Sequence, residues 1–239
     1  MARNKNFKKK QTNNTINFND SIKAKLRDTI LIPKSLNQEK YVVSLLSDKY
    51  DIVISHGPAG TGKTYLAMQA AIKSLRNGTI ERIVLTRPAV GVEDEKHGFL
   101  PGTLEEKMAP WTRPLLDVMR EYYTPQEITA MLDNQTIEIS PLAFMRGRTM
   151  KNSWIICDEF QNTTPNQMKM LLTRIGVGSK IIVTGDVEQT DKKKGDNGLI
   201  DLCNRLQKLP TLGVSVCELD ARDICRHPMI GKVLKLYSD

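Results

Sequence analysis

Residues 51–75 read DIVISHGPAGTGKTYLAMQAAIKSL, and this stretch decides the fold. A short β-branched run, Asp51–Ser55, leads into Gly57-Pro58-Ala59-Gly60-Thr61-Gly62-Lys63-Thr64. Apolar residues at helical spacing then continue to about Arg76. The octapeptide fits G-x-x-x-x-G-K-[ST] in full, and it stands between a strand and a helix, as that motif requires. The glycines let the backbone curl so that its N–H groups converge on phosphate oxygens. The helix N-terminus adds a positive dipole. Lys63 is placed to bridge β- and γ-phosphates and Thr64 to ligate Mg²⁺. The expected nucleotide contacts run from Gly57 to Tyr65, with ATP and Mg²⁺ as cofactors.

On either side of this unit, short apolar strands alternate with helical segments. Strands are predicted at 51–55, 81–86, 136–139, 153–157, 180–184 and 213–218. Helices are predicted at 36–47, 103–121, 125–133, 165–174, 195–208 and 228–237. This alternation predicts an α/β domain with a mainly parallel sheet flanked by helices. Residues 1–20 read as a disordered polar tail, and 21–239 as one domain. The segment 88–102, PAVGVEDEKHGFLPG, fits neither helix nor strand. It follows a strand, and ligands in open α/β sheets bind beyond the carboxyl ends of strands, so it reads as a functional loop.

Two further strands end in chemistry. Trp154-Ile155-Ile156-Cys157 runs into Asp158-Glu159. Asp158 is placed to hold the Mg²⁺ shell and Glu159 to orient and polarise an attacking water. Such a pair favours hydrolysis over transfer to a second substrate. Ile181-Ile182-Val183-Thr184 runs into Gly185-Asp186, with Gln189 three residues on. Gln189 can sense the γ-phosphate or position the water. Upstream, Gln38 precedes the phosphate loop by about 20 residues, and its amide offers both a donor and an acceptor to an adenine edge.

Composition narrows the setting. The 239 residues are 40% hydrophobic and 26% charged, ordinary globular usage that argues against a mainly disordered chain. No apolar run approaches the roughly 18–20 residues needed to span a membrane. The basic N-terminus lacks the apolar core of a secretory signal. Cys157, Cys203, Cys217 and Cys225 form no Cys-x-x-Cys pair, so a zinc ribbon and a disulfide scaffold are both disfavoured. A reducing, cytoplasmic setting fits these features. The net charge is +8, and Arg3, Lys5, Lys8, Lys9 and Lys10 supply much of it. Such an arm suits non-specific nucleic-acid attraction and a merely solvated tail equally well. Aromatic residues are 5%, too few for an evident base-stacking platform.

The motifs in this order resemble the PhoH family of phosphate-starvation-inducible ATPases, which are similar to the first motor domain of superfamily one helicases. The resemblance extends through TRPAV at 86–90, HGFLPGTLEEKMAPWTRPL at 97–115 and PLAFMRGRT at 141–149. It continues through CDEFQNTTPNQMKMLLTRIGVGSK at 157–180, VTGDVEQTD at 183–191 and DICRHPMI at 223–230, covering about residues 35–235 in all. Cys157 and Phe160 beside the acids, and Lys192-Lys193-Lys194 after the third motif, depart slightly from the family pattern without removing a catalytic group. The resemblance implies a P-loop NTPase with a RecA/helicase-like sheet, ATP binding and Mg²⁺-dependent hydrolysis. The chain looks like a minimal, stand-alone member of the kind phages encode, which would place it in the host cytoplasm.

The same resemblance implies contact with single-stranded RNA or DNA. Thr86 and Arg87 stand where helicase-like domains touch the strand backbone, and Arg146 and Arg148 offer further cations. A lone core lacks the arginine that a second motor core supplies. A neighbouring subunit is the expected source, in a homo-oligomer with a hexameric ring favoured. Arg174, Arg222 and Arg226 are the candidates, with Arg226 first from the resemblance. The same residues acting in cis as sensors remains open. So does a nucleotide-dependent clamp on nucleic acid that does not unwind it. A small-molecule kinase is disfavoured by the Asp158-Glu159 pair.

Overall fold

The computed structural model describes residues 29–88, 104–190 and 196–225. Its centre is a six-stranded sheet in the order β3-β2-β4-β5-β1-β6, with every pairing parallel. The strands are β1 (Ile52–His56), β2 (Arg82–Thr86), β3 (Ile137–Ile139), β4 (Ser153–Cys157), β5 (Lys180–Gly185) and β6 (Val214–Glu218). The helices are α1 (Leu36–Leu46), α2 (Lys63–Arg76), α3 (Leu104–Arg120), α4 (Pro125–Asp133), α5 (Pro165–Leu172) and α6 (Gly198–Lys208). The predicted α/β class is therefore observed, and the strands lie within a residue or two of their expected positions. The helix expected at 228–237 lies outside the described residues, as do the basic arm and nearly all of the 88–102 segment.

Period-two alternation sorts each strand between two cores. Val53, Ile83, Leu85, Ile156 and Ile182 pack against one set of helices, α1 to α4, through Tyr41, Leu45, Met68, Ile72 and Met119. Ile54, Val84, Ile155, Ile181 and Val183 face the other side and meet Phe160, Met168, Leu171 and Leu199 from α5, α6 and the turns. Because both faces are covered, the strands read as continuous apolar runs.

Local signals set the helix ends. Thr124 and Thr164 each form a reciprocal capping box, with Glu127 and Gln167, and a proline follows each cap. Asn197 accepts from Leu199 N and Ile200 N to start α6. At the far end of α1, the buried Lys180 ammonium donates to Leu45 O and Ser47 O at 2.6 and 2.8 Å while lying over the Trp154 ring. Those carbonyls are the ones a helix C-terminus leaves without partners.

Three one-turn 3-10 helices, Leu142–Met145, Phe160–Asn162 and Ala221–Asp223, had no sequence signal. They are too short for periodicity to register. The helix predicted over 165–174 stops at Leu172, because the chain turns at Thr173 and Arg174 N bonds to Leu171 O. No helix among the described residues is long and apolar enough to cross a membrane.

Candidate nucleotide site

Parallel strands deliver all their carboxyl ends to one edge. His56 is level with Gly185 and Thr86 with Cys157, so the loops leaving β1, β2, β4 and β5 meet there. The strand carrying the acid pair is separated from the phosphate-loop strand by β5 alone.

The phosphate loop joins β1 to α2. Gly60 and Gly62 have φ of +85° and +81°, left-handed values that a side chain resists. Gly57 has φ +144°, and a Cβ there would stand 2.0 Å from Leu219 O. The loop is held by its neighbours: Gly57 N donates to Gly185 O, Leu219 N to His56 O, and Cys225 N to Gly60 O. Lys63 is buried, with its ammonium donating to Gly57 O at 2.6 Å and Pro58 O at 2.8 Å. Its charge therefore sits in the middle of the curl.

Beside it, the Thr64 hydroxyl donates to Asp158 Oδ1 at 2.7 Å, and Thr184 Oγ1 reaches the same oxygen at 2.8 Å. The other oxygen of Asp158 faces the Arg87 guanidinium at 4.0 Å. Glu159 takes a left-handed conformation (φ +57°), which turns the chain sharply out of β4. One Glu159 oxygen accepts from Gln161 Nε2 at 2.6 Å, and the other lies 3.6 Å from Arg87 Nη2. Lys63, Thr64, Asp158, Glu159, Asp186 and Gln189 share the lining of a cleft of about 260 Å³. All but Asp186 are residues the sequence assigned to phosphate, metal and water.

A second cavity of about 690 Å³ adjoins the loop and shares Gly60, Gly62 and Tyr65 with the cleft. Ile30 and Ile32 form an apolar side of it. Gln38 lies in its wall but is almost fully buried. Its Oε1 accepts from Lys34 N, and its Nε2 donates to Thr61 O at 2.9 Å. The amide thus already ties α1 to the phosphate loop. Tyr65 donates to Glu121 at 2.9 Å and accepts from Gln69. Burial, then the Glu121 hydrogen bond and charge, push the Tyr65 phenol up to about 12.

The arginines divide. Arg87 comes to the two acids, while Thr86 lies buried beneath, its carbonyl accepting from Asp158 N. Arg148 forms a two-pronged pair with Glu138 on β3. That guanidinium holds the Glu138 carboxyl below its ordinary range, with Arg82 assisting. Arg174 donates to Met170 O, Arg148 O and Thr173 Oγ1. Its neighbour Ile175 bridges to Met150, ahead of the amino end of β4. Arg222 pairs with Asp220 but leaves 87% of its side chain exposed. Arg146 is exposed, and Arg226 lies outside the described residues.

Three participants had no role assigned from sequence. Thr184 needed the register that sets it beside Asp158. Asp186 was visible in the Gly-Asp pair, yet not its acceptance of the phosphate-loop Ala59 N at 3.1 Å. Gln161 is buried and bonds Glu159, Gln189 O and Asp186 N with one side chain. A glutamine two residues past an acid carries no signal that it turns back toward it. Among the described residues no group of three or more His, Cys, Asp or Glu could hold a metal by itself. A hydroxyl and a carboxylate from two elements is instead the oxygen set that a phosphate-bound Mg²⁺ uses.

The chain is similar to known proteins along most of its length. The chain is 47% identical over 205 residues to a PhoH-like protein of Bacillus subtilis, covering 85% of this chain and 63% of that one. It is 35% identical over 215 residues to Protein PhoH of Escherichia coli K12, covering 89% of this chain and 60% of that one. It thus spans about three fifths of the length of these curated relatives. Among solved structures, the Pyrococcus furiosus Hef helicase domain is remotely similar, with a TM-score of 0.45 and 11% identity over 79% of this chain and 38% of that one. The family profile described as PhoH-like protein matches residues 30–238, and the chain belongs to that family.

Proposed function

We propose that this protein binds ATP with Mg²⁺ and hydrolyses it, and that the cycle is coupled to single-stranded nucleic acid. The observation that carries the reading is the meeting of Thr64, Thr184 and Asp158 at one carboxylate oxygen, in the cleft that Lys63 and Glu159 also line. Thr64 and Asp158 would hold Mg²⁺, which when bound offsets charge on the β- and γ-phosphates. The loop N–H groups and Lys63 take phosphate oxygens, with the Lys63 ammonium exchanging the carbonyls of Gly57 and Pro58 for them. Glu159 accepts a proton from water as the water oxygen bonds to the γ-phosphorus. The bond from that phosphorus to the bridging oxygen breaks, releasing ADP and inorganic phosphate. Gln189, which lines the same cleft beside Asp186, would sense the γ-phosphate. The cavity beside Tyr65, Ile30 and Ile32 suits the base, with Gln38 at its wall.

Support for a strand partner comes from the carboxyl edge. Residues 140–142 run along the end of β2 through Ser140 N to Leu85 O and Leu142 N to Arg87 O. The same segment exposes Phe144 and Arg146. A ring and a cation there suit a base and a phosphodiester. Of the two described candidates for reaching a neighbouring subunit's nucleotide in a homo-oligomer, Arg222 is exposed beside Asp220, whereas Arg174 is bonded to Met170 O and Arg148 O. Sedimentation with an ATP analogue tests that last point, since a strict monomer with full turnover removes it.

The central test is ATP hydrolysis by the purified protein, with and without single-stranded RNA and DNA, across a salt series. Lys63→Ala should abolish turnover, and Glu159→Gln should bind ATP without releasing phosphate. Stimulation that fades as salt rises supports grip on the phosphate backbone. Turnover that survives both substitutions refutes the site.

A further inference from the structure

The two acids of the site, Asp158 and Glu159, share one cationic neighbour. Both face the same guanidinium. Arg87 Nη2 lies 3.6 Å from Glu159 Oε1, and Nη1 lies 4.0 Å from Asp158 Oδ2. Arg87 is the first residue past β2, and Asp158 N donates to Thr86 O, so the two chain segments are fastened together at this level. The second Glu159 oxygen is occupied by Gln161 Nε2. The carboxylate therefore has a donor or a cation at each oxygen.

A general base must offer a lone pair to water within hydrogen-bond reach. A guanidinium beside that carboxylate competes for the same lone pairs. Gln161 is buried and fixed by Asp186 N and Gln189 O, so it cannot be the part that moves. Arg87 can move, because more than a quarter of its side chain is exposed and its charge pair is long and unsaturated. A long pair of this kind is weak and yields to a better anion. A phosphodiester, which guanidinium binds in bidentate fashion, is such an anion.

We propose that Arg87 is a positioning residue that latches Glu159 in the resting protein, and that a phosphodiester of a bound single strand draws it off and frees the carboxylate for water. The proposal rests on the reading of Glu159 as the base for ATP hydrolysis. A strand on the exposed Phe144 and Arg146 would come near Arg87, because Ser140 N and Leu142 N, just ahead of them in the chain, bond to Leu85 O and Arg87 O. Nucleic-acid contact and catalysis are thereby joined in one side chain. The strand's charge replaces the acids' charge, and no second domain is needed to carry the signal.

The experiment compares wild type, Arg87→Gln and Arg87→Lys in steady-state ATP hydrolysis, with and without single-stranded poly(U) and oligo(dT). Removing the latch should raise the strand-free kcat of Arg87→Gln about five-fold, the effect of losing a weak, part-exposed ion pair. KM for ATP should change little, and the ratio of stimulated to strand-free rate should fall toward one. Arg87→Lys keeps the charge without the two-pronged reach and should lie between. It also serves if the glutamine variant melts early. A strand-free kcat for Arg87→Gln at or below wild type, with stimulation intact, overturns the latch. A wild-type rate that neither polymer raises overturns the release step. Failure of the underlying site reading looks different, because Glu159→Gln would then turn over like wild type. A merely structural Arg87 would lower kcat and melting temperature together and would never raise the strand-free rate.

Discussion

Replacing Gln161 with leucine tests whether the acid pair and the loop after β5 act as one unit. The side chain is 1% exposed and makes three hydrogen bonds: to Glu159 Oε2 at 2.6 Å, to Gln189 O at 3.1 Å and from Asp186 N at 3.1 Å. Leucine fills similar space but leaves Asp186 N and Gln189 O without that partner. The buried Asp186 N left unmet costs about 1–3 kcal/mol, each of the two part-buried bonds lost costs about 1 kcal/mol more, and burial of the extra apolar surface returns about 1 kcal/mol. A net loss of about 3 kcal/mol follows. In a chain of this size that lowers the melting midpoint by roughly 6–12 °C. Urea and thermal unfolding measure it directly. Turnover adds an independent reading. With Glu159 released from one side and the Gln189 segment unpinned, kcat should fall about 10- to 100-fold, equivalent to about 1.4–2.8 kcal/mol of barrier. ATP affinity should hold within a few-fold, because Lys63 and the loop are untouched. A variant that melts and turns over like wild type would refute the claim that Gln161 joins the two motifs.

Other outcomes follow from single contacts. Gly57→Ala would place a Cβ 2.0 Å from Leu219 O at φ +144°, so on the order of 3 kcal/mol of stability should be lost, read as a lowered urea midpoint. The Glu138 carboxyl is held below its ordinary 4.5, first by the Arg148 hydrogen bond and then by the charges of Arg148 and Arg82. Its contribution is full above that ordinary value and is lost as pH falls through the lower folded value. Unfolding midpoints taken from pH 7 to pH 3 should drop less steeply in Glu138→Gln than in wild type. Gln38→Ala removes the tie between Lys34 N and Thr61 O, and it should weaken ATP about ten-fold, near 1.4 kcal/mol, in a fluorescent-nucleotide titration. Unchanged affinity would detach α1 from the nucleotide site.

Much of the fold was readable because the strands are buried on both faces. Ser153–Cys157 is apolar throughout save its first residue, and its predicted and observed limits coincide. The phosphate loop was readable because its chemistry is local: the glycines, Lys63 and Thr64 lie within eight consecutive residues. What stayed hidden depends on strand order, which local pattern does not encode. Thr184 meets Asp158 only because β5 lies beside β4, and Ala59 N meets Asp186 only because β5 also lies beside β1. The basic residues were the least readable. Arg87 and Arg148 look alike in sequence, yet one faces two acids of the site and the other is spent on Glu138. A cation's partner is chosen by distance in space, and at a sheet edge that distance is set by segments far apart in the chain.

The fastening of the phosphate loop has a consequence for synthesis. Ile52 pairs with Ile181 on one side and with Val214 on the other, and the loop beyond it is held by Gly185, Leu219 and Cys225. A ribosome that has released the first 180 residues has made the whole Gly57–Thr64 motif and the acid pair, but none of the backbone that holds the curl. Contacts of such sequence separation are slow to form, because the chain must close long loops before they contribute. The nascent protein therefore carries a legible nucleotide motif long before it has a nucleotide site. Ligand can begin to stabilise the fold only after β5 and β6 have emerged and closed over β1.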